Sequence, residues 1–313
     1  MSKNIKVSVC MITYGHEKFI EEAINGVLMQ EVDFEIELII SNDSSPDKTD
    51  EIVKSIIKTH PRGSWIKYTK QDPNIGMMLN TQFVLDNSKG EYIAACEGDD
   101  YWTDSLKLQK QIDFLENNKE AMGCFHHASF VDQDRSIINE IYNPKVGEIN
   151  SYNQEQCLKI LKSSYATCSL VFRKNVLKNA PKILLSNLCD EILDIIITEN
   201  GKLFFLNFNG ASYRYHSGGV WSGTSTIKLN LIQYHRVLVL YSVPKLRKQY
   251  GDFLSDRIKT LSKSFLFSNS IKKSERINYF LKTMRFLDYK KSKTYDFIAA
   301  FCKNIIFNVK VEY

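Results

Sequence analysis

The sequence predicts an α/β protein, with a mostly parallel central sheet flanked by helices and a helical extension at the C-terminus. Three observations predict it. Between residues 6 and 96, short β-rich runs alternate with stretches whose apolar side chains recur at helical spacing. The β-rich runs end in small polar and acidic residues. Beyond Gly223 the chain turns helical, basic and aromatic. Strands that alternate with helices form parallel sheets covered on both faces, and ligands gather at the carboxyl ends of their strands.

Lys6 to Ile12 opens the series as a strand, and Phe19, Ile20, Ala23, Ile24, Val27 and Leu28 then mark one face of a helix. Glu35 to Ser41 reads as a second strand, and Ile52, Val53, Ile56 and Ile57 belong to a second helix. Trp65 to Thr69 is a third strand, Gly76 to Asn87 a third helix and Glu91 to Cys96 a fourth strand. After about residue 120 the pattern loosens into α+β. Strands are predicted at Gly123 to Phe130, Ile137 to Tyr142, Ser169 to Phe172, Leu203 to Leu206 and Ser212 to Tyr215, with an apolar helix from Asp190 to Glu199 among them. Pro244 is predicted to separate two C-terminal helices, and the chain is divided into domains at 1–223 and 224–313.

A chain of 313 residues with 43% hydrophobic and 25% charged side chains can bury a large core. Its seven cysteines are scattered without a C-x-x-C pair, which favours a reducing, cytoplasmic setting. The N-terminal apolar run breaks at Tyr14-Gly15-His16 without a cleavage site, so it reads as a strand and not as a signal peptide. The longest later apolar run, near Val237 to Val243, is too short to span a bilayer. Residues 224–313 hold 18 Lys and Arg against 6 Asp and Glu, a net of +12, which leaves −7 for residues 1–223 out of the total of +5. The basic region fits a solvated helical face, an anionic membrane surface on the inner side of the cytoplasmic membrane, or a second copy in a homodimer. Phe297, Ile298, Phe301, Ile305 and Ile306 form its apolar stripe. No nucleic-acid-binding module accompanies the charge, so nucleic acid is excluded as a partner.

The second strand runs into Ser41-Asn42-Asp43-Ser44-Ser45-Pro46-Asp47, and the fourth into Glu97, Asp99, Asp100 and Asp104. Such residues either cap the next helix or face a ligand. The chain has no G-x-G-x-x-G after the first strand and no G-x-x-x-x-G-K-[ST] anywhere, so neither phosphate-binding fingerprint explains the strand ends. Carboxylates approach a phosphate only with a divalent cation between them, and these hard oxygens suit Mg²⁺ or Mn²⁺.

The segments VSVCMITYGHEKFIEEAINGVLMQ, ELIISNDSSPDKT, NIGMMLN, GEYIAACEGDDYWTDSLKLQKQIDFLE and YRYHSGGVWS fall in an order that resembles bacterial family 2 glycosyltransferases of GT-A fold, over about residues 5–223. The resemblance implies an inverting, metal-dependent enzyme that uses a nucleotide-sugar donor, UDP-linked first, and a glycan or lipid-linked oligosaccharide acceptor in surface polysaccharide (O-antigen or capsule) synthesis. It places Ile12, Thr13, Tyr14, Asp43, Asn74, Gly76, Asp99, Arg214 and Trp221 at the donor, with Asp99, Asp100 and His216 at the metal. Glu97 and Asn42 depart from the family's more usual Asp, and Gly15 from its Asn, and either Asp99 or Asp100 is left as the direct ligand. Asp190 matches the catalytic base, with Glu191 and Asp194 close by in sequence. Trp102 is open to two readings, a ring platform or a lid on the core; His126 and His127 read as structural; Thr167 and Ser169 resemble a segment near the acceptor. A nucleotidyltransferase acting on a sugar phosphate and a non-catalytic sugar-binding module are the alternatives, and only the second would do without Asp99 and Asp190.

Overall fold

The computed structural model describes residues 4–140, 150–160, 165–219, 224–268, 270–284, 298–299 and 301–302. These belong to two compact units, Met1–Ser217 and Gly218–Tyr313.

The first unit opens with β1 (Ile5–Thr13), α1 (Ile20–Leu28), β2 (Glu35–Asn42), α2 (Thr49–Thr59), β3 (Ile66–Lys70), α3 (Met77–Asn87) and β4 (Tyr92–Ala95). It continues with β5 (Tyr101–Trp102), α4 (Lys107–Asn117), β6 (Ala121–Asp132), β7 (Ile137–Asn139), β8 (Ser151–Tyr152), α5 (Gln154–Ile160) and β9 (Val171–Arg173). A short α6 (Lys182–Leu185), then α7 (Asp190–Glu199) and β10 (Lys202–Tyr215), complete it. One sheet runs through all of it in the order β3-β2-β1-β4-β9-β6-β10-β5, with β7 added on β6 and β8 on β10. The β3, β2, β1 and β4 strands are mutually parallel, β6 and β10 are parallel, and β9 joins the two groups by pairing antiparallel with β4 and β6.

Central strands buried on both faces carry continuous apolar runs where a half-exposed strand would alternate, and Val7, Val9, Met11, Leu38 and Ile40 are fully buried. Against one face pack Ile20, Ile24 and Val27 of α1 and Val53 of α2. At about 25 cal/mol per Å² of apolar surface, each such side chain stabilises the fold by about 1.5–3 kcal/mol before entropy is counted. Because parallel neighbours run in one direction, the polar ends of β1, β2 and β4 emerge on one edge of the sheet.

Two details depart from the sequence reading. The strands expected at 203–206 and 212–215 are one strand, β10, whose register with β6 shifts between Leu206 and Asn209 and again between Asn209 and Ala211. Asn207-Phe208-Asn209-Gly210 therefore forms an irregularity within a strand, although its composition reads as a turn. The strand expected at 137–142 is described only as far as Asn139 and Glu140.

The second unit contains α8 (Thr226–Ser242), α9 (Pro244–Leu266) and α10 (Lys273–Met284), with Pro244 at the first turn of α9, where its missing N–H is harmless. Tyr234, Leu254, Ile258 and Phe265 are buried within it, and the Tyr234 hydroxyl is 2.6 Å from Thr283 Oγ1. Phe301 stacks on Phe280 at 3.9 Å and is buried, so it does not belong to an exposed apolar stripe; Phe297, Ile305 and Ile306 lie outside the described residues. No helix among the described residues is long and apolar enough to cross a membrane.

Candidate active site

The end of β1 sets the frame. The Ile12 carbonyl accepts the Gly98 N–H at 3.0 Å, which pins the loop after β4 against the end of β1. A Cβ on Gly98 would lie 2.7 Å from Thr13 Oγ1 and 3.0 Å from His16 Nδ1, so only glycine allows this approach. Next to it, Gly15 takes φ +73°, donates its N–H to Ser45 Oγ, and leaves His16 N–H to donate to Thr49 Oγ1. The His16 backbone is thus fixed, and its ring Nδ1 is 3.1 Å from Thr13 Oγ1.

Asp99 projects from the loop into a cluster with His16 and His216. Its Oδ2 is 3.1 Å from His216 Nε2 and 3.7 Å from His16 Nε2, and one ligand atom from each residue falls within 4.8 Å of the others. Burial opposes the ionisation of Asp99, but the hydrogen bond to His216 and the charges of His16 and His216 outweigh it and hold its carboxyl below the ordinary value. Burial pulls the His16 imidazole below its usual value, with Asp99 pulling the other way. Bonds of about 2.1 Å to one ion place adjacent ligands about 3 Å apart and opposite ligands about 4 Å apart, so two imidazoles and a carboxylate at these separations fit a divalent metal.

Asp100 does not join this cluster. It is buried, Oδ1 accepts the Arg214 backbone N–H at 2.9 Å, and Oδ2 has no hydrogen-bond partner. Burial and the charge of Asp99 push its carboxyl well above the usual range. Of the two carboxylates that the sequence left open, Asp99 is the one that stands with His16 and His216. Glu97 is pushed up likewise by burial and by Asp100, Asp190 and Asp99, which brings Asp190 within electrostatic reach of the acidic loop.

Arg214 also turns inward. Its Nε donates to the Asp99 carbonyl at 2.9 Å, Nη2 pairs with Glu22, and the guanidinium lies between the rings of Phe19 and Tyr101 at 4.8 and 4.9 Å. With its side chain 2% exposed it clamps the acidic loop to α1. Trp102 is a lid on the core: its Nε1–H donates to the Cys168 carbonyl at 2.8 Å, and Lys107 Nζ lies 4.0 Å from its ring centroid.

On the other side of β1, Asp43 is buried, and its two oxygens accept the N–H groups of Ile75 and Gly76 at 2.7 and 2.9 Å. Asn74 Nδ2 donates to the Asp43 carbonyl, and Gly76, at φ +85°, opens α3. These three residues form one linked turn beside Thr13, whose carbonyl accepts the Asp43 N–H, while the Tyr14 side chain stands exposed. At the start of α7, Asp190 Oδ2 accepts the Thr167 hydroxyl at 3.0 Å. Glu191 is buried, and Asp194 is buried with the Tyr165 hydroxyl donating to it. Ser169 is buried and donates to the Ala166 carbonyl, and His126 lies in the core with Nδ1 against the His127 carbonyl. Trp221 lies outside the described residues.

The sequence profile of the family described as Glycosyl transferase family 2 matches residues 8–180, over half of the chain. The chain belongs to glycosyl transferase family 2. An uncharacterized protein of Mycobacterium tuberculosis is 31% identical over 225 residues, covering 70% of this chain and 62% of that protein, so the chain spans less than two thirds of that relative. The minor teichoic acid biosynthesis protein GgaB of Bacillus subtilis is 25% identical over 251 residues, 77% of this chain and 26% of that protein. Among solved structures, S. aureus TarS 1-349 in complex with UDP-GlcNAc superposes with a TM-score of 0.66 at 17% identity, over 91% of this chain and 82% of that one. The mannosyltransferase PcManGT of Pyrobaculum calidifontis, in complex with GDP-Man and Mn²⁺, gives 0.51 at 12% identity, over 98% and 88%. At these identities the likeness is one of fold, and it bears out the GT-A expectation.

In this family 2 chain the sequence reading missed His16. Its signal was position: it stands three residues beyond the strand-end Thr13, at the same sheet edge as the acidic loop.

Proposed function

We propose that the chain moves a sugar, a hexose first, from a nucleoside diphosphate to a hydroxyl of a growing glycan, with inversion at the anomeric carbon. UDP is the first candidate nucleotide, and the acceptor is a glycan or lipid-linked oligosaccharide of a bacterial surface polysaccharide such as O-antigen or capsule. The observation that carries the reading is the cluster of Asp99, His16 and His216 within electrostatic reach, through Glu97, of a carboxylate at a helix start. TarS with UDP-GlcNAc, PcManGT with GDP-Man and Mn²⁺, and the teichoic acid name of GgaB support it.

Ile12, Thr13 and Tyr14, with the turn joining Asp43, Asn74 and Gly76, form the nucleotide side. Asp190 takes the proton of the attacking hydroxyl: the Thr167 hydroxyl orients its carboxylate, and the N-terminus of α7 favours the ionised form that a base requires. Mg²⁺ or Mn²⁺, when bound at Asp99 and His216, supplies neutralisation of the diphosphate as the sugar leaves. Titration calorimetry of the full chain against UDP-, GDP- and dTDP-linked sugars, with and without Mn²⁺, tests the reading. Metal-dependent binding of one nucleotide class, lost in Asp99→Ala, is expected. Absence of binding to all of them would overturn it.

A further inference from the structure

Three groups from separate elements converge where the proposed transfer needs its cation. Asp99 comes from the loop after β4, His216 follows β10, and His16 ends the turn after β1. Both Nε2 atoms face the same carboxylate oxygen, Asp99 Oδ2, at 3.1 and 3.7 Å. The two imidazole planes stand at 88° with centroids 6.1 Å apart, so the rings meet edge to face, and one ligand atom from each residue of the trio lies within 4.8 Å of the others.

We infer that His16 is the third protein ligand of the metal, and that the resulting two-histidine, one-carboxylate site selects a first-row transition ion over Mg²⁺. The inference rests on the metal-assisted transfer proposed above and names the metal class for it. Imidazole suits Fe²⁺ and Zn²⁺, and the affinity of nitrogen-bearing sites rises along the first row from Mn²⁺ through Fe²⁺ and Co²⁺, whereas Mg²⁺ keeps to carboxylate, phosphate and water oxygens. A site with only Asp99 would treat Mg²⁺ and Mn²⁺ alike; two imidazoles remove that parity. The surroundings of His16 are those of a ligand. In the tautomer that donates Nδ1–H to Thr13 Oγ1, the Nε2 lone pair faces Asp99, and such an outer hydrogen bond fixes ring orientation in metal-binding histidines. The missing side chain at Gly98 leaves room for that pair.

The test uses metal alone. Mn²⁺ binding to the full chain is followed by the loss of the free-ion electron paramagnetic resonance signal, with Mg²⁺ as competitor, and Co²⁺ binding by its visible absorption, which reports nitrogen ligation. Mn²⁺ is expected to bind at least ten-fold more tightly than Mg²⁺. His16→Ala is expected to weaken Mn²⁺ at least ten-fold and to alter the Co²⁺ bands. His16→Gln keeps the bulk and is expected to narrow the Mn²⁺ over Mg²⁺ preference; circular dichroism checks that both variants fold, since the backbone bonds of His16 do not use its ring. Wild-type Mn²⁺ affinity in His16→Ala, or equal affinities for the two ions in the native chain, would overturn the inference. Neither result touches the transfer reading if nucleotide binding stays metal-dependent, and Mn²⁺ binding lost with His16 in a chain that ignores every nucleotide upholds the ligand while removing the transfer.

Discussion

A single absent methyl group decides how closely the acidic loop approaches β1. Gly98 lies outside the left-handed region, so what its position demands is space and not an unusual backbone. Gly98→Ala would bring a Cβ to 2.7 Å from Thr13 Oγ1 and 2.8 Å from Thr13 Cβ, and neither the strand end nor the loop pinned to Ile12 can yield freely. Overpacking of this kind costs about 1–3 kcal/mol, so a lower urea midpoint is expected, together with weaker Mn²⁺-dependent nucleotide binding. A variant equal to wild type in both would show that the loop and the strand end yield enough to admit a methyl group. The crowding of Glu97, Asp99 and Asp100 after an apolar strand was legible because four or five consecutive residues carry it. The burial of Arg214 was not legible, because it depends on Glu22 and Phe19, far away in sequence. His16 was overlooked for the same reason: only the sheet brings it to His216.

Among the elements, α7 was read to its residue limits, since a polar start and a run of apolar side chains coincide there. The antiparallel insertion of β9 and the continuity of β10 were not, because pairing partners leave no local trace. The α7 helix also carries a pH signature. Burial pushes the carboxyl of Asp194 well above its usual value; the Tyr165 hydroxyl pulls it down, and the charges of Asp190 and Glu191 push it further up. A carboxyl raised on folding contributes stability that is complete below its unfolded value, about 3.8, and is lost as pH climbs toward the folded value. Asp194→Asn keeps an acceptor for Tyr165 and removes the titration. Between pH 4 and pH 8 the wild-type unfolding free energy should fall relative to the variant's, by at most about 1.4 kcal/mol per pH unit, leaving the variant at least as stable at neutral pH. Parallel pH curves from urea denaturation would refute the assignment.

For the molecule as a whole, the division of charge matters most. Residues 224–313 carry a net +12 and residues 1–223 a net −7 within a chain of +5. Two copies that met through the basic unit would bring like charge together, which disfavours a homodimer on that face and favours an anionic lipid surface. Of the apolar stripe read from the sequence, Phe301 is already buried against Phe280. Attraction without deep insertion is electrostatic and therefore sensitive to salt. Vesicles of phosphatidylcholine with phosphatidylglycerol should sediment the full chain at low ionic strength and release it in 1 M NaCl, where the Debye length is about 3 Å. Vesicles of phosphatidylcholine alone should leave it in solution. Retention in 1 M NaCl would point to buried apolar contacts instead. Equal partition between the two vesicle types would remove the membrane from the account, and light scattering that showed a dimer in the same buffer would give the basic unit a second copy as its partner.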